Sequence, residues 1–308
     1  MMEQKNNSRR PITGVYPILR FAIDRGIQSK LLFEETGLKE NDFLDPQNDI
    51  FLDQELTIIR NLMIYAPEPE TAWDLGGYFT TKTHGVLGSL MASAPTLGDM
   101  INSVVDYCML GHSFFNLYPE KMDDRIRIYL VERYPTGTLL PFVTERDIKA
   151  GISAVETRLP GKKNSIIMAV SFSHAPRAGI EKYKEAFVDT VLFDQPRTCF
   201  DIARSSLSMN ISDGNDQVFE LIRQQCCMEF SLRNKHHFFL SDRVKLFLQA
   251  EKEKMDFVSI AKKLNMSERS FRRELSKEGI SFRQIKNQMI FQHSLRLLRD
   301  SRLHIEEI

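Results

Sequence analysis

No apolar run in this 308-residue chain approaches the roughly 18 residues that a membrane-spanning helix requires. The opening stretch, MMEQKNNSRR, is polar and charged, with no apolar segment behind it of the kind a secretory leader carries. These absences predict a cytoplasmic protein with no membrane partner. The four cysteines, Cys108, Cys199, Cys226 and Cys227, contain no CxxC pair. They offer neither a disulfide framework nor a zinc signature, and free thiols fit a reducing compartment. Enzyme signatures are missing as well. There is no Walker A loop, no GxGxxG, no GxSxG elbow and no HExxH, so no recognisable motif cradles a phosphate, exposes a nucleophilic serine or sets two imidazoles on a metal. The expectation is a non-enzyme with no catalytic residue, no cofactor and no metal site.

Net charge is also absent, since 41 basic side chains balance 41 acidic ones. Any nucleic-acid signal must therefore lie in how the charge is distributed, and residues 241–308 carry a basic excess that the acidic remainder cancels. A composition of 42% hydrophobic and 27% charged residues is too apolar for disorder, and the length suffices for about two domains.

Helical spacing marks the first third of the chain. Val15, Ile18, Leu19, Ala22 and Ile23 fall on one helical face, as do Leu56, Ile59, Leu62 and Met63, with a loop at 66–69. Residues 97–110 repeat the pattern through Leu97, Met100, Ile101, Val104, Val105 and Cys108, and Thr96 is placed to cap them. The period then changes. Ile126, Ile128 and Leu130 alternate with Arg125, Arg127 and Tyr129, which predicts a half-buried strand. Further strands are expected at 164–172 and 190–193, with helices at 145–158 and 179–187. The fold class is thus an α+β N-terminal domain, helices plus a mixed or antiparallel sheet, over residues 1–206. A polar turn at 212–216 leads into a helix at 217–232 within a helical linker, 207–241, placed to link or dimerise. An all-α segment, 242–308, completes the chain.

That last segment is the most informative. Asp256 can cap a helix over 257–264 with Ile260, Ala261 and Leu264 inside, Asn265 can turn the chain, and Ser267 can cap a second helix over 268–277. Ala261 is small enough for two helices to cross closely, and Phe271 would plug the space between them. On the opposite face of the second helix stand Arg269, Arg272, Arg273 and Ser276, at i, i+3, i+4 and i+7. A guanidinium fork can bond the O6 and N7 of guanine together, and it grips phosphate oxygens equally well. Ser267, Ser270, Lys262 and Lys263 are placed to meet the sugar-phosphate backbone. A solvated basic helix is the competing reading of the same stripe.

The run DFVSIAKKLNMSERSFRRELSKEGISFRQIKNQMIFQHSLRLLRDSRLHIEEI, residues 256–308, resembles the first half of the DNA-binding domain of the AraC/XylS family. The likeness rests on the Ser259-Ile260-Ala261 of the first motif helix, the spacing of the second helix, Gly279, the Ser281-Phe282 turn and the linker helix ending at Asp300. Residues 85–110, GVLGSLMASAPTLGDMINSVVDYCML, resemble the N-terminal domain of one subfamily, often labelled arabinose-binding. The resemblance implies a helix-turn-helix transcription regulator, an activator more often than a repressor. It implies promoter double-stranded DNA and a small-molecule effector as partners, with RNA polymerase and a second copy of the chain as further candidates. Sugars, amino acids and fatty acids all stay open as effectors. The family's domain holds two helix-turn-helix units, and here only the opening of the second is expected, at 304–308, with part of the linker helix face (Ile285, Met289, Leu295 and Leu298) left uncovered. The alternative is therefore an effector-binding or dimerisation module whose truncated DNA domain does not function.

Lesser constellations carry less. Cys108 and His112 sit four apart, a spacing at which an imidazole could activate a thiolate, yet a packed thiol near a helix end is the plainer reading. The vicinal pairs Cys226-Cys227 and His236-His237 point their side chains apart on a helix and do not readily share one ion. His84 and His174 read equally as satisfied loop hydrogen-bonders and as ligand contacts, so neither is given a role, and Tyr107, Phe114, Phe115 and Tyr118 read as core before pocket wall.

Overall fold

The computed structural model describes residues 8–237, 240, 244, 248, 256–264, 266–277 and 281–287; the side chains of 231–237, Lys263 and Lys277 are outside that description. The chain divides into two compact units, Met1–Phe230 and Ser231–Ile308.

The first unit opens with strand β1 (Arg9–Pro11), paired antiparallel to β2 (Asp49–Phe51). Helices α1 (Tyr16–Asp24), α2 (Ser29–Leu32), α3 (Leu52–Tyr65) and α4 (Thr71–Gly76) pack around this ribbon. The spacing seen in the sequence is the cause: Ile18, Phe21 and Ala22 of α1 and Leu52, Leu56, Ile59 and Leu62 of α3 are buried in one core. The side chain of Gln54 accepts from the Phe51 N–H at 2.8 Å and closes the exposed start of α3.

The second core is built on helices and a sheet. Its elements are α5 (Gly85–Ser93), α6 (Leu97–Tyr107), β3 (Phe115–Lys121), β4 (Arg125–Glu132), α7 (Leu140–Arg158), α8 (Lys163–Ile166), β5 (Ile167–Ser171), α9 (Ile180–Ala186), β6 (Val191–Leu192), β7 (Cys199–Ala203) and α10 (Asp216–His237). The sheet order is β3-β4-β7-β5-β6, antiparallel throughout except for the parallel pair β5 and β6, so the fold class is α+β with a mixed sheet. Thr96 caps α6 by accepting from the Asp99 N–H at 3.1 Å. That helix is shorter than its apolar spacing predicts, because after Tyr107 it tightens into a single 3-10 turn, Cys108–Leu110.

The strand expected at 164–172 begins at Ile167. Its first part is the helical turn α8, where the Ser165 hydroxyl bonds back to the Lys162 carbonyl at 2.8 Å, an alternative that short polar side chains give the backbone. Helix α7 starts earlier than expected, at Leu140, with Pro141 in its first turn where no N–H is missed. It packs closely on α4. A methyl group on Gly76 would stand 2.6 Å from the Arg146 carbonyl oxygen, so only glycine permits that approach. Residues 207–230 belong to this first unit, and α10 lays Phe219, Ile222, Cys226 and Phe230 against its core.

In the second unit, helix α11 (Phe257–Lys263) and helix α12 (Glu268–Lys277) share a core in which Ile260, Ala261, Leu264, Phe271, Leu275 and Ile285 are buried. A further helical segment covers 282–287, and Ser281 starts it by accepting from the Gln284 N–H at 3.3 Å. The expectations for Asn265, Gly279, Met289, Leu295, Leu298, Asp300 and 304–308 fall outside the described residues. No described helix is long and apolar enough to cross a membrane.

Candidate functional site

Helix α12 owes its position to its capped start, to the capped helix before it and to its inner face. Asp256 caps α11 through the Ser259 N–H at 2.8 Å, and Ser267 caps α12 through the Ser270 N–H at 3.2 Å. Phe271, fully buried, has its ring 4.7 Å from that of Phe257 and 6.4 Å from that of Phe282. With Phe271 and Leu275 fixed inward, helical geometry turns Arg269, Arg272, Arg273 and Ser276 outward, and all four are exposed.

The stripe is not uniform. The Arg272 guanidinium lies over the Phe257 ring at 5.3 Å, which steadies it without consuming its donors. Arg273 meets the Glu274 carboxylate at 3.2 Å, an exposed pair that a phosphate oxygen can displace at little cost. The Ser276 hydroxyl is turned back to the Arg272 carbonyl at 2.9 Å, and the Ser267 hydroxyl donates to Ser270 Oγ at 3.0 Å. Both serines therefore serve the helix itself in this arrangement. Lys262 is exposed on α11, and the Lys263 side chain lies outside the described part.

The first unit holds a cavity of about 130 Å³ between α6, α7 and the sheet. Met100, Ile101, Val104, Val105 and Cys108 come from α6 and the turn that follows it; Ile148, Ile152 and Val155 come from α7; Ile128 and Leu130 come from β4. At one end the wall turns polar with His84, His112, Ser113 and Asp147. The two imidazoles stack at 5.2 Å, and Nε2 of His112 donates to the Thr83 carbonyl at 2.7 Å. Burial brings His84 down to about 4 and carries His112 well below its ordinary range, so both rings are neutral at pH 7.

Behind this polar end lies a buried ionic network. Arg10 of β1 pairs with Glu55 of α3 and donates to the carbonyls of His112, at 2.8 Å, and Ser113, at 3.2 Å. Arg146 pairs with Asp147, whose other oxygen accepts from the Ser113 hydroxyl at 2.8 Å and the Phe114 N–H at 2.9 Å. The Phe114 ring is covered on its faces by Arg10 at 4.1 Å and Arg146 at 4.8 Å.

The other residues singled out by the sequence resolve as follows. Cys108 is not on a helical face with His112, because the 3-10 turn intervenes, and burial pushes its thiol up, away from the thiolate. Phe114 and Phe115 are buried in the core of the N-terminal helices, Tyr107 packs edge-on against Phe230, and neither these nor Tyr118 lines the cavity. Cys226 is buried and Cys227 exposed on α10, and the side chains of His236 and His237 lie outside the described part. His174 is a loop hydrogen-bonder, its Nδ1 on the Ala175 carbonyl at 2.9 Å, and its Nε2 stands 3.7 Å from Glu145, a fully buried carboxylate that receives Arg177 and the Tyr183 hydroxyl. The buried acids and arginines were missed because nothing in the sequence distinguishes Glu55, Glu145 or Arg146 from surface charges.

Comparison with known proteins agrees with this architecture. Residues 26–211 match the arabinose-binding domain of AraC transcription regulators, N-terminal. The ornithine utilization regulator of Pseudomonas aeruginosa is 24% identical over 97% of this chain and 87% of its own length. The HTH-type transcriptional regulator Rv1395 of Mycobacterium tuberculosis is 22% identical over 97% of this chain and 88% of its own. Among solved structures, the transcriptional regulator CdpR of Pseudomonas aeruginosa superposes with a TM-score of 0.56 at 17% identity, covering 97% of this chain and 89% of that one.

Proposed function

Because the chain belongs to the AraC-type transcription regulators that carry the N-terminal arabinose-binding domain, we propose that it is a sequence-specific DNA-binding activator governed by a small effector. In this reading residues 1–206, with the part of 207–241 that packs on their core up to Phe230, sense the effector and bring two copies together, the rest of 207–241 links, and 242–308 read promoter DNA. Helices α11 and α12 act as a helix-turn-helix. Arg269, Arg272 and Arg273 enter a major groove, Lys262 and Lys263 meet the sugar-phosphate backbone, and Ser267, Ser270 and Ser276 reach it by exchanging their hydroxyl bonds within the helix for phosphate oxygens. RNA polymerase is the partner that activation requires.

The observation that carries this reading is the exposed arginine stripe on a helix whose opposite face is fixed by the buried Phe271 and Leu275. A solvated helix needs no such fixed presentation, whereas base readout does, because a bidentate fork works only when its stem is held. The test is fluorescence anisotropy of the chain against duplex from upstream of its own gene and against scrambled duplex, across a salt series, with Arg272→Ala and Arg273→Ala. The expected result is a preference for the upstream duplex that each variant reduces by about 1 to 3 kcal/mol. Equal, weak binding to both duplexes that vanishes as salt rises would sink the proposal and leave an effector module with a disabled DNA domain.

A further inference from the structure

The cavity in the first unit constrains the chemistry of its occupant. Apart from one end, its wall is apolar, built from side chains such as Met100, Val104, Leu130, Ile148, Ile167 and Phe200. Its volume, about 130 Å³, is close to that of engineered apolar cavities of about 150 Å³ that hold benzene. There is room for a ring or a short acyl chain.

The polar end offers little that is still free. Among the lining residues Asp147 alone carries a charge, and its carboxylate is taken by Arg146, the Ser113 hydroxyl and the Phe114 N–H. His112 has its Nε2 on the Thr83 carbonyl, and its Nδ1, buried without a hydrogen-bond partner, lies against Gly14, where an added methyl group would stand 3.2 Å away. The Nδ1 of His84 is likewise buried without a hydrogen-bond partner and lies against Gly111, where an added methyl group would stand 3.1 Å away; no described group bonds to that ring. Both imidazoles are neutral, and Arg146, whose Nη1 is buried without a partner, does not line the cavity and has its charge matched by Asp147, so the wall holds no spare cation for a carboxylate and no spare anion for an ammonium group.

A sugar brings several hydroxyl groups, each needing a partner once buried, and this wall provides almost none. A zwitterionic amino acid would lose its hydration on both charges without a counter-ion. We infer that the first unit takes an uncharged, mainly apolar small molecule with a single polar group seated at the stacked imidazoles of His84 and His112, rather than the sugar that the family description names. The inference rests on the effector role given to this unit above. It specifies that role by chemistry.

The experiment follows the melting temperature of the full chain with 1-hexanol, hexanoate, L-arabinose or L-ornithine. Hexanol at ten times its Kd should raise Tm by about 3 to 5 °C, and the other three should leave it unchanged. Val105→Phe, which fills the cavity from α6, should abolish the hexanol shift. His84→Phe keeps the ring and its stacking but removes both nitrogens, and should weaken hexanol about five-fold while leaving hexane binding as it was. A shift with arabinose, ornithine or hexanoate that Val105→Phe removes overturns the assignment, as does a hexanol shift that survives Val105→Phe, or no shift with any probe. The DNA titration above separates the two claims. Hexanol binding without DNA preference sinks the regulator reading alone, and DNA preference without a hexanol shift sinks the ligand class alone.

Discussion

Glu55→Gln is the sharpest perturbation of the first unit. Glu55 is fully buried, and its partner Arg10 is only 4% exposed, so deleting the charge of one leaves the other desolvated without its counter-ion. Breaking a buried pair in this way costs about 3 to 5 kcal/mol. Here Arg10 keeps the carbonyls of His112 and Ser113 and the faces of Phe114 and Tyr134, which places the cost at the lower end, about 3 kcal/mol. For a unit of this size that corresponds to a fall in Tm of roughly 6 to 12 °C. Urea unfolding followed by the fluorescence of Trp73 is the natural assay, since this is the chain's single tryptophan and it is buried in the first unit against Tyr183 at 4.7 Å. The double variant Arg10→Met with Glu55→Leu removes both charges and restores apolar packing, so it should be no less stable than Glu55→Gln. A loss below about 1 kcal/mol for Glu55→Gln, or a double variant clearly worse than the single one, would refute the account of this pair as a buried, mutually dependent unit.

Two more predictions concern the wall around the cavity. The folded imidazoles of His84, at about 4, and His112 lie below the ordinary 6.5, so below that pH the unfolded chain binds protons that the folded chain refuses. Stability is therefore complete above about pH 6.5 and falls as pH drops toward 4. The His84 share reaches about 2 kcal/mol at pH 5; urea midpoints at pH 7 and pH 5 measure the fall, and His84→Phe should remove that share and leave the part due to His112. A midpoint constant over that interval would contradict the burial of these rings as neutral groups. Gly88→Ala places a methyl group 1.7 Å from the Thr81 carbonyl oxygen and should destabilise by at least about 2 kcal/mol, whereas Gly151→Ala meets nothing within 4 Å and should stabilise α7 by about 0.5 to 1 kcal/mol. Thermal melts of the pair settle the point, and equal effects from the two would show that close packing of α5 is not the cause.

The elements that could be read from the chain are those whose cause is local. The faces of α1, α3 and α6, the alternation of β4 and the caps Thr96, Asp256 and Ser267 follow from spacing and from one side chain meeting one backbone group. The strands β3 and β7 could not be read that way. β3 contains Pro119, which is tolerated because this strand lies at the edge of the sheet. β7 carries Asp201 in a central strand, acceptable only because Arg127 stands directly opposite on β4 and meets its carboxylate at 2.7 and 2.8 Å. Neither the edge position nor the cross-strand partner exists until the sheet has formed.

The same division holds for function. The arginine stripe of α12 and the family likeness were present in the sequence, because a helix face is set by a fixed period and a motif by fixed spacing. The cavity was not, for its wall is drawn from α6, α7, the sheet and the segments carrying His84 and His112. Their polar partners, Thr83, Arg146 and Phe114, are near neighbours for some of these groups and distant in sequence for others. What the sequence by itself determined was which helices form and which side chains one of them presents to solvent. Tertiary structure alone decided which charges are buried in pairs, which imidazoles stay neutral and what kind of molecule the remaining space can hold, since burial and pairing are properties of groups brought together from across the chain.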